Sequence, residues 1–497
     1  MASHIIVNAD SGEHRIDKNV YGHFAEHLGR CIYGGVWVGE ESEIPNVRGI
    51  RTDIVEALKA IDAPIIRWPG GCFADEYHWK DGVGPKGDRA PMVNSHWGGV
   101  VENNHFGTHE FFDLCEQIGA EPYICGNVGS GSVHEMQQWI EYMNWPDSTP
   151  MSEWRRRNGR EEPLGIRYFG VGNENWGCGG MMSAEYYAEV YRRYQTYVRK
   201  YGHRDIYKIA CGPRNDDYHW TEVMMREAAT HMDGLALHYY SRMFSSGGSR
   251  TEKRGSATVF DEEEWALILS RAHHTEELVR RHSAIMDRFD PERSVALVVD
   301  EWGTWFQVEP GTEPGFLYQQ NTIRDALVAS ISLNIFNSHA DRVRMTNIAQ
   351  TINVLQAMVL TEGPRLALTP TYHVFEMYKG HQNATLLPSS VRTEEYRFDG
   401  YRMKKVSVSA SRADDGTILV TLNNVDPHEA SNVRLSLRGV SAKKVSGRVL
   451  TAETMQDHNT FDEPDRVKPK SFDGIEVDDG ELRFAIPAKS VLAITVS

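Results

Sequence analysis

The chain has 497 residues, of which 40% are hydrophobic and 25% are charged, a composition typical of a soluble globular protein with two domains. It carries 53 Lys and Arg against 69 Asp and Glu, and the net charge of −16 argues against nucleic acid or an anionic membrane surface as a partner. We therefore expect a neutral ligand.

The N-terminus lacks the basic and then apolar pattern of a signal peptide, and no run of 18 apolar residues predicts a membrane span. Six cysteines are scattered along the chain without a CxxC pair. In a chain of this length, that pattern is typical of free thiols in a cytoplasmic protein. We therefore expect a cytoplasmic location and no disulfide, including at Cys72 and Cys178, for which buried, inert thiols are the expectation.

Short apolar runs alternate with helical patterns over residues 15–378, which predicts a catalytic (β/α)8 TIM barrel. The predicted strands are 19–24, 64–68, 121–125, 166–171, 207–211, 234–237, 295–299 and 342–348. The predicted helices include 52–61, 108–118, 184–201, 221–229, 261–287 and 318–334.

The pattern changes after residue 378, where apolar and polar residues alternate and helical periodicity stops. The runs 405–411, 417–423, 432–437 and 490–496 predict an antiparallel, jelly-roll-like β-sandwich over residues 379–497. A strand at 5–9, within residues 1–14, is expected to join it.

Two glutamates follow apolar runs of the predicted barrel: Glu174 after the fourth strand and Glu301 after the seventh. The carboxyl ends of barrel strands carry the active site, and two carboxyl groups there suit cleavage of a glycosidic bond, one as acid and the other as nucleophile or base. Further polar residues at the predicted strand ends are Glu26, Arg67, Asn127, Asn173, His238, Tyr240 and Gln350.

Other motifs are weaker. His105 and His109 are four residues apart, as in half of a metal site, but no third ligand is evident, so a surface or substrate-loop role is favoured. Gly70 and Gly71 follow a strand, yet no GxGxxG motif or P-loop lysine accompanies them. We expect a tight turn there, and neither a metal nor a cofactor in the protein.

The segments that carry these residues resemble the α-L-arabinofuranosidases of glycoside hydrolase family 51 over essentially the whole chain. They are 21–30 (YGHFAEHLGR), 67–73 (RWPGGCF), 172–177 (GNENWG), 237–240 (LHYY), 299–305 (VDEWGTW) and 347–350 (NIAQ). The resemblance implies a retaining, exo-acting enzyme that releases terminal L-arabinofuranose from oligosaccharides derived from arabinoxylan or arabinan. It also implies a cytoplasmic, metal-free homo-oligomer, a hexamer in most members.

The same resemblance implies individual roles. Glu174 is the expected acid/base and Glu301 the expected nucleophile. The residues expected to bind the sugar or orient the two carboxyl groups are Glu26, Arg67, Cys72, Trp97, Asn173, His238, Tyr240, Trp305 and Gln350.

Three alternatives stay open at this point. Another retaining glycosidase of the same clan, a β-xylosidase or an endo-β-glucanase, would share the catalytic pair. A non-catalytic carbohydrate-binding barrel is disfavoured because both glutamates are present. A cofactor-dependent barrel enzyme is disfavoured because no phosphate-binding signature is visible.

Overall fold

The computed structural model describes residues 2–12, 14–202, 204–243, 255–440, 444–478 and 480–497. Eight parallel strands, each hydrogen-bonded to the next in chain order, close into a barrel, which confirms the predicted TIM barrel. They are β1 Gly22–Phe24, β2 Ile65–Trp68, β3 Glu121–Gly126, β4 Tyr168–Val171, β5 Tyr207–Ala210, β6 Gly234–Arg242, β7 Ala296–Trp305 and β8 Val343–Ala349.

Helices surround the barrel, and three of them have no counterpart among the helices named from the sequence: Val133–Asn144, Pro150–Arg157 and Pro370–Tyr378. The described residues form α1 Thr52–Ala60, α2 Thr108–Ile118, α3 Val133–Asn144, α4 Pro150–Arg157, α5 Ala184–Gln195, α6 Tyr218–Ala228, α7 Glu262–Asp287, α8 Ile323–Ser338 and α9 Pro370–Tyr378. Most begin at a side-chain cap: Ser132 caps α3, and Thr322 with Asp325 forms a capping box at α8.

Strands β6 and β7 extend well past the apolar runs that predict them. Glu301 therefore lies inside β7 instead of following its end, which corrects the sequence-based placement. A register shift lies between Ala236 and His238 of β6, and another in β7 between Val299 and Trp302. These irregularities place His238 directly opposite Glu301.

The C-terminal part consists of two sheets with an apolar core between them, as predicted. One sheet has the order Ser389–Arg392, Ser3–Asn8, Ser431–Arg438, Glu481–Ile486, Glu476–Asp478. The other has the order Thr385–Leu386, Val406–Arg412, Ile418–Asn424, Ser490–Val496, Val445–Thr451, Lys470–Phe472. The N-terminal strand Ser3–Asn8 pairs in parallel with Ser431–Arg438, whereas the other pairings are antiparallel.

Four two-stranded ribbons complete the described strands. They pair Asn46–Val47 with Ile50–Arg51, Met92–Asn94 with Val100–Glu102, Val359–Glu362 with Arg365–Leu368, and Glu395–Phe398 with Tyr401–Lys404. Across the described ranges, none of the helices combines the length and apolar character that crossing a bilayer requires.

Candidate active site

Glu174, His238 and Glu301 form the centre of the site. The Nδ1 atom of His238 lies 2.9 Å from Oε1 of Glu174 and 2.8 Å from Oε2 of Glu301. One ligand-type atom from each of the three residues falls within 4.8 Å of the other two. The two carboxyl groups predicted from the sequence therefore meet at the same imidazole nitrogen.

Buried charges surround Glu301. Arg67 Nη1 donates to Glu301 Oε1 at 3.4 Å, and Asp300 lies 3.5 Å from Arg67 Nε and 3.2 Å from His238 Nε2. Burial alone would raise the pKa of Glu301, but the charges of His238 and Arg67 outweigh it and lower that pKa below its usual value. Burial would likewise lower the pKa of His238, yet Glu301 and the hydrogen bonds to the three carboxylates hold it well above the usual range. The site therefore favours an ionised Glu301 beside a protonated His238.

Glu26 forms a second acidic position in the pocket. Its carboxylate accepts hydrogen bonds from the Phe73 backbone N–H at 3.1 Å, from Trp97 Nε1 at 2.9 Å and from Gln350 Nε2 at 3.0 Å. A Cβ atom at Gly71 would come within 2.4 Å of this carboxylate, so glycine allows the backbone to approach it. Burial, with the Glu301 charge as the next cause, raises the pKa of Glu26 to about 7.

Hydrogen bonds to Asp75 hold the loop that carries Glu174. Glu174 has a φ of 42°, a left-handed conformation that is unusual for a residue other than glycine and that occurs preferentially at functional sites. Asp75 accepts hydrogen bonds from the backbone N–H groups of Asn173 at 2.8 Å, Val128 at 2.6 Å and Gly129 at 2.8 Å. Asp75 thus joins the loops after β2, β3 and β4.

Cys72 and Cys178 form a disulfide with an S–S distance of 2.07 Å, so the expectation of free thiols is wrong for these two residues. The remaining four cysteines, Cys31, Cys115, Cys125 and Cys211, are buried and unpaired as expected. Scattered spacing could not reveal the bond, because 106 residues separate the partners and only the fold brings the loops after β2 and β4 together. Cys178 Sγ lies 3.7 Å from Oε2 of Glu174, so the disulfide borders the cluster of Glu174, His238 and Glu301.

A pocket of about 640 Å³ opens above the carboxyl groups, a size common for small-molecule sites. Its walls include nine of the residues predicted from the sequence: Glu26, Cys72, Trp97, Glu174, His238, Tyr240, Glu301, Trp305 and Gln350. The rings of Tyr240 and Trp305 meet edge to face, with centroids 5.2 Å apart.

Two predicted residues lie beneath this pocket. Arg67 and Asn173 hydrogen-bond to each other and line a small space under Glu174 and His238. Asn127 is further away, where its side-chain amide donates to the Tyr77 carbonyl at 3.1 Å and holds its own loop. The structure therefore places Arg67 and Asn173 as supports of the carboxyl groups and Asn127 outside the pocket wall.

Sequence reasoning missed several residues of the site. Asp300, which directly precedes Glu301, is absent from the residues predicted for the site. In the structure, Tyr123 donates to it at 2.7 Å, and both Arg67 and His238 contact it. Asp75 lies in a short turn whose sequence carries no recognisable motif. Trp176 and Arg214 line the outer pocket, and the only available signal was the position of Trp176 two residues after Glu174.

The spacing of Glu174, His238 and Glu301 also suits three ligands of one metal ion. The same atoms are, however, close enough to contact one another directly as acid, base and counter-ion. The predicted histidine pair is not part of this cluster, because His109 contacts the Tyr142 hydroxyl at 2.6 Å. Chemically, two facing carboxyl groups with one kept ionised provide a nucleophile and a proton donor.

Comparisons with known proteins find relatives of one kind. A family model described as the α-L-arabinofuranosidase 1 domain matches residues 57–249, and one described as the α-L-arabinofuranosidase C-terminal domain matches residues 300–490. The intracellular exo-α-L-arabinofuranosidase of Bacteroides ovatus is 50% identical over 491 residues, 99% of this chain and 95% of the relative.

Solved structures of arabinofuranosidases are also similar to this chain. The crystal structure of the GH51 arabinofuranosidase from Xanthomonas axonopodis pv. citri is similar with a TM-score of 0.98 and 51% identity, and 100% of each chain is covered. The arabinose complex of the α-L-arabinofuranosidase from Thermotoga maritima is similar with a TM-score of 0.87 and 30% identity, again over 100% of each chain.

Proposed function

Because this chain belongs to the α-L-arabinofuranosidases of glycoside hydrolase family 51, we propose that it hydrolyses terminal α-L-arabinofuranosides by double displacement with retention of configuration. The observation that carries the proposal is the close approach of Glu174 and Glu301, whose carboxylate oxygens lie within 4.8 Å of each other. Retaining enzymes hold their carboxyl groups about 5–5.5 Å apart, whereas inverting enzymes leave a wider gap for water.

Glu301 is the proposed nucleophile. His238 and Arg67 lower its pKa, so it is ionised at neutral pH and able to attack the anomeric carbon. Glu174 is the proposed acid/base: its side chain is 19% exposed at the pocket, where it gives a proton to the departing oxygen and later takes one from water. Neither step requires a metal, so EDTA should leave activity unchanged.

The remaining residues bind the sugar or orient the pair. Glu26, Gln350, Trp97, Tyr240, Trp305 and the loop at Cys72 form the wall around a terminal arabinofuranose. Arg67 and Asn173 act from beneath, and His238 acts between the two carboxyl groups. A pocket of this size above the carboxyl groups is compatible with exo-acting removal of single arabinofuranosyl groups from oligosaccharides derived from arabinoxylan or arabinan.

Replacement of Glu301 by Ala tests the nucleophile. We expect turnover of nitrophenyl α-L-arabinofuranoside to fall by about 10⁴-fold or more, because the covalent step is lost. Added azide should restore formation of a β-arabinofuranosyl azide. In the wild type, proton NMR should detect the α-anomer of arabinose first; a β-anomer as the first product would exclude retention.

Replacement of Glu174 by Ala tests the acid/base. A nitrophenolate leaves without a proton, whereas a sugar hydroxyl does not. We therefore expect loss of cleavage of arabinoxylo-oligosaccharides, with a burst of nitrophenol and slow turnover on the nitrophenyl substrate, and azide should speed the slow phase. Equal slowing of both substrates without a burst would assign Glu174 a binding or structural role instead.

We further propose that the enzyme works in the cytoplasm, as the name of the Bacteroides ovatus relative states for that protein, and that it assembles as a hexamer, as the family resemblance implies. Light scattering on the purified protein should give six times the chain mass of 56.3 kDa. A mass of one chain would contradict the assembly without affecting the proposed chemistry.

A further inference from the structure

The outer part of the active-site pocket differs in charge from its floor. Glu26, Glu174 and Glu301 line the floor, whereas the outer wall carries the three arginines Arg214, Arg242 and Arg271 against the single acid Asp216. The chain as a whole has a net charge of −16, so the positive charge of this region is opposite in sign to the net charge of the chain. Charges that line a cleft concentrate ligands of the opposite sign.

Arg214 lies on the side of the pocket where the leaving group must be. Its backbone forms an isolated parallel bridge with His238, and its guanidinium lies 5.0 Å above the ring of Trp176. Trp176 is two residues from Glu174, and its indole N–H donates to the Gly212 carbonyl at 3.1 Å, which fixes the ring. Because the acid must touch the departing oxygen, the part of the substrate beyond that oxygen passes next to Trp176 and Arg214.

Arg214 and Arg271 make no ion pair among the described residues. Arg214 is exposed, and its guanidinium lies over the Trp176 ring. Arg271 Nε is buried and lacks a hydrogen-bond partner in the part of the chain that the structure describes. Tyr239 fixes the Arg271 backbone by donating to its carbonyl at 2.8 Å. Both arginines line the same pocket without an ion pair to a described residue, and guanidinium groups bind carboxylates preferentially.

We propose that this outer wall is a subsite for a carboxylate on the aglycone, and that the enzyme prefers arabinofuranosides whose branch point lies next to a uronic acid. The inference rests on the proposed function, since an aglycone subsite exists only if a terminal sugar is cleaved. Trp176 supplies the apolar face for a pyranose ring, and Arg214 and Arg271 supply the charge.

The test uses two matched substrates. One is an arabinosylated xylo-oligosaccharide with a glucuronic acid on the xylose next to the branch; the other is the same compound with its carboxylate reduced to the primary alcohol. For the wild type, we expect kcat/KM to be about tenfold higher for the acid. A partly exposed ion pair contributes more binding free energy than a fully exposed pair and less than a buried one. Raising the salt concentration should reduce this ratio.

Single-residue variants test whether the preference for the acidic substrate depends on Arg214 and Arg271. R214Q and R271Q should each bring the acid-to-neutral ratio toward one, and D216N should increase the ratio because it removes the opposing charge. R226Q is the matched control, because Arg226 is exposed on α6 and paired with Glu227 at 2.8 Å away from the pocket; it should keep the wild-type ratio.

The outcomes separate this inference from the proposed function. A wild-type ratio of one, with both substrates cleaved, overturns the subsite and leaves the arabinofuranosidase reaction standing. A preference that survives in both R214Q and R271Q overturns the assignment to these arginines. Failure to release arabinose from either substrate or from nitrophenyl arabinofuranoside means that the proposed function itself is wrong.

Discussion

His238 contacts both proposed catalytic carboxyl groups through Nδ1, and its charge favours the ionised form of Glu301. Replacement by Asn removes the cation that, with Arg67, outweighs burial and lowers the pKa of Glu301. The pKa of Glu301 then rises, and because attack requires the ionised form, the acid limb of kcat/KM should move to higher pH by about one unit. The measurement is a pH profile of nitrophenyl arabinofuranoside hydrolysis.

A second histidine serves as the control for this prediction. His219 is exposed on α6 and contacts Glu185 at 2.9 Å, far from the carboxyl pair. His219→Asn should therefore leave the acid limb in place. If His238→Asn lowers kcat/KM equally at every pH, then His238 acts through positioning or binding alone.

At the same scale, Asp300 shows where prediction from sequence stops. Alternation along a regular strand turns neighbouring residues to opposite faces, which would place only one of Asp300 and Glu301 at the site. The register shift between Val299 and Trp302 interrupts that alternation, and both carboxyl groups contact His238. The apolar run and the family resemblance both pointed to Glu301, whereas the contacts of Asp300 with Arg67 and His238 follow only from the structure.

Among the elements, the loops after β2 and β4 carry the most testable feature, the disulfide between Cys72 and Cys178. Closing a loop of 106 residues restricts the unfolded chain and typically adds about 2–4 kcal/mol of stability. Dithiothreitol should therefore lower the thermal midpoint of the wild type. Mass spectrometry after alkylation without reductant should find Cys72 and Cys178 unlabelled and linked.

The double variant Cys72→Ser/Cys178→Ser is the control for any effect of dithiothreitol that does not come from reduction of this disulfide. The midpoint temperature of its thermal unfolding should match that of the reduced wild type. Dithiothreitol should not change this temperature, because the other four cysteines are already unpaired. Unchanged stability of the wild type in reductant, with both thiols free beforehand, would show that the bond does not form in solution.

Barrel strands were predictable because each is a buried apolar run between helical patterns. Predicted runs 64–68 and 121–125 agree with β2 and β3 to within one residue. The ends of β6 and β7 were not predictable, because polar and aromatic residues such as His238 and Trp302 continue those strands. Helix α4 escaped prediction because it is rich in arginine and has only a short buried face.

In the whole molecule, the barrel and the sandwich share one helix. Residues Ile323 to Asn337 of α8 are all buried, so both its barrel side and its sandwich side are covered. Its sandwich side is polar and bonded: Ser330 accepts from Asn423 at 2.9 Å, Asn334 accepts from Thr421 at 2.9 Å, and Asn337 donates to Ser409 at 3.2 Å. Without the sandwich, these groups would lose their partners.

We therefore expect the barrel and the sandwich to unfold in one transition, and Asn423→Ala tests this. Asn423 is buried and donates to both Ser330 and Ser407, so its replacement removes two hydrogen bonds at this contact and should cost about 1–3 kcal/mol. Asn432→Ala, at an exposed position of Ser431–Arg438, is the matched control and should change stability by less than about 0.5 kcal/mol. Calorimetry and residual arabinofuranosidase activity should give the same, lowered midpoint for Asn423→Ala. If a sandwich transition moves down while the loss of activity stays at the wild-type temperature, the two parts unfold independently and α8 does not couple them.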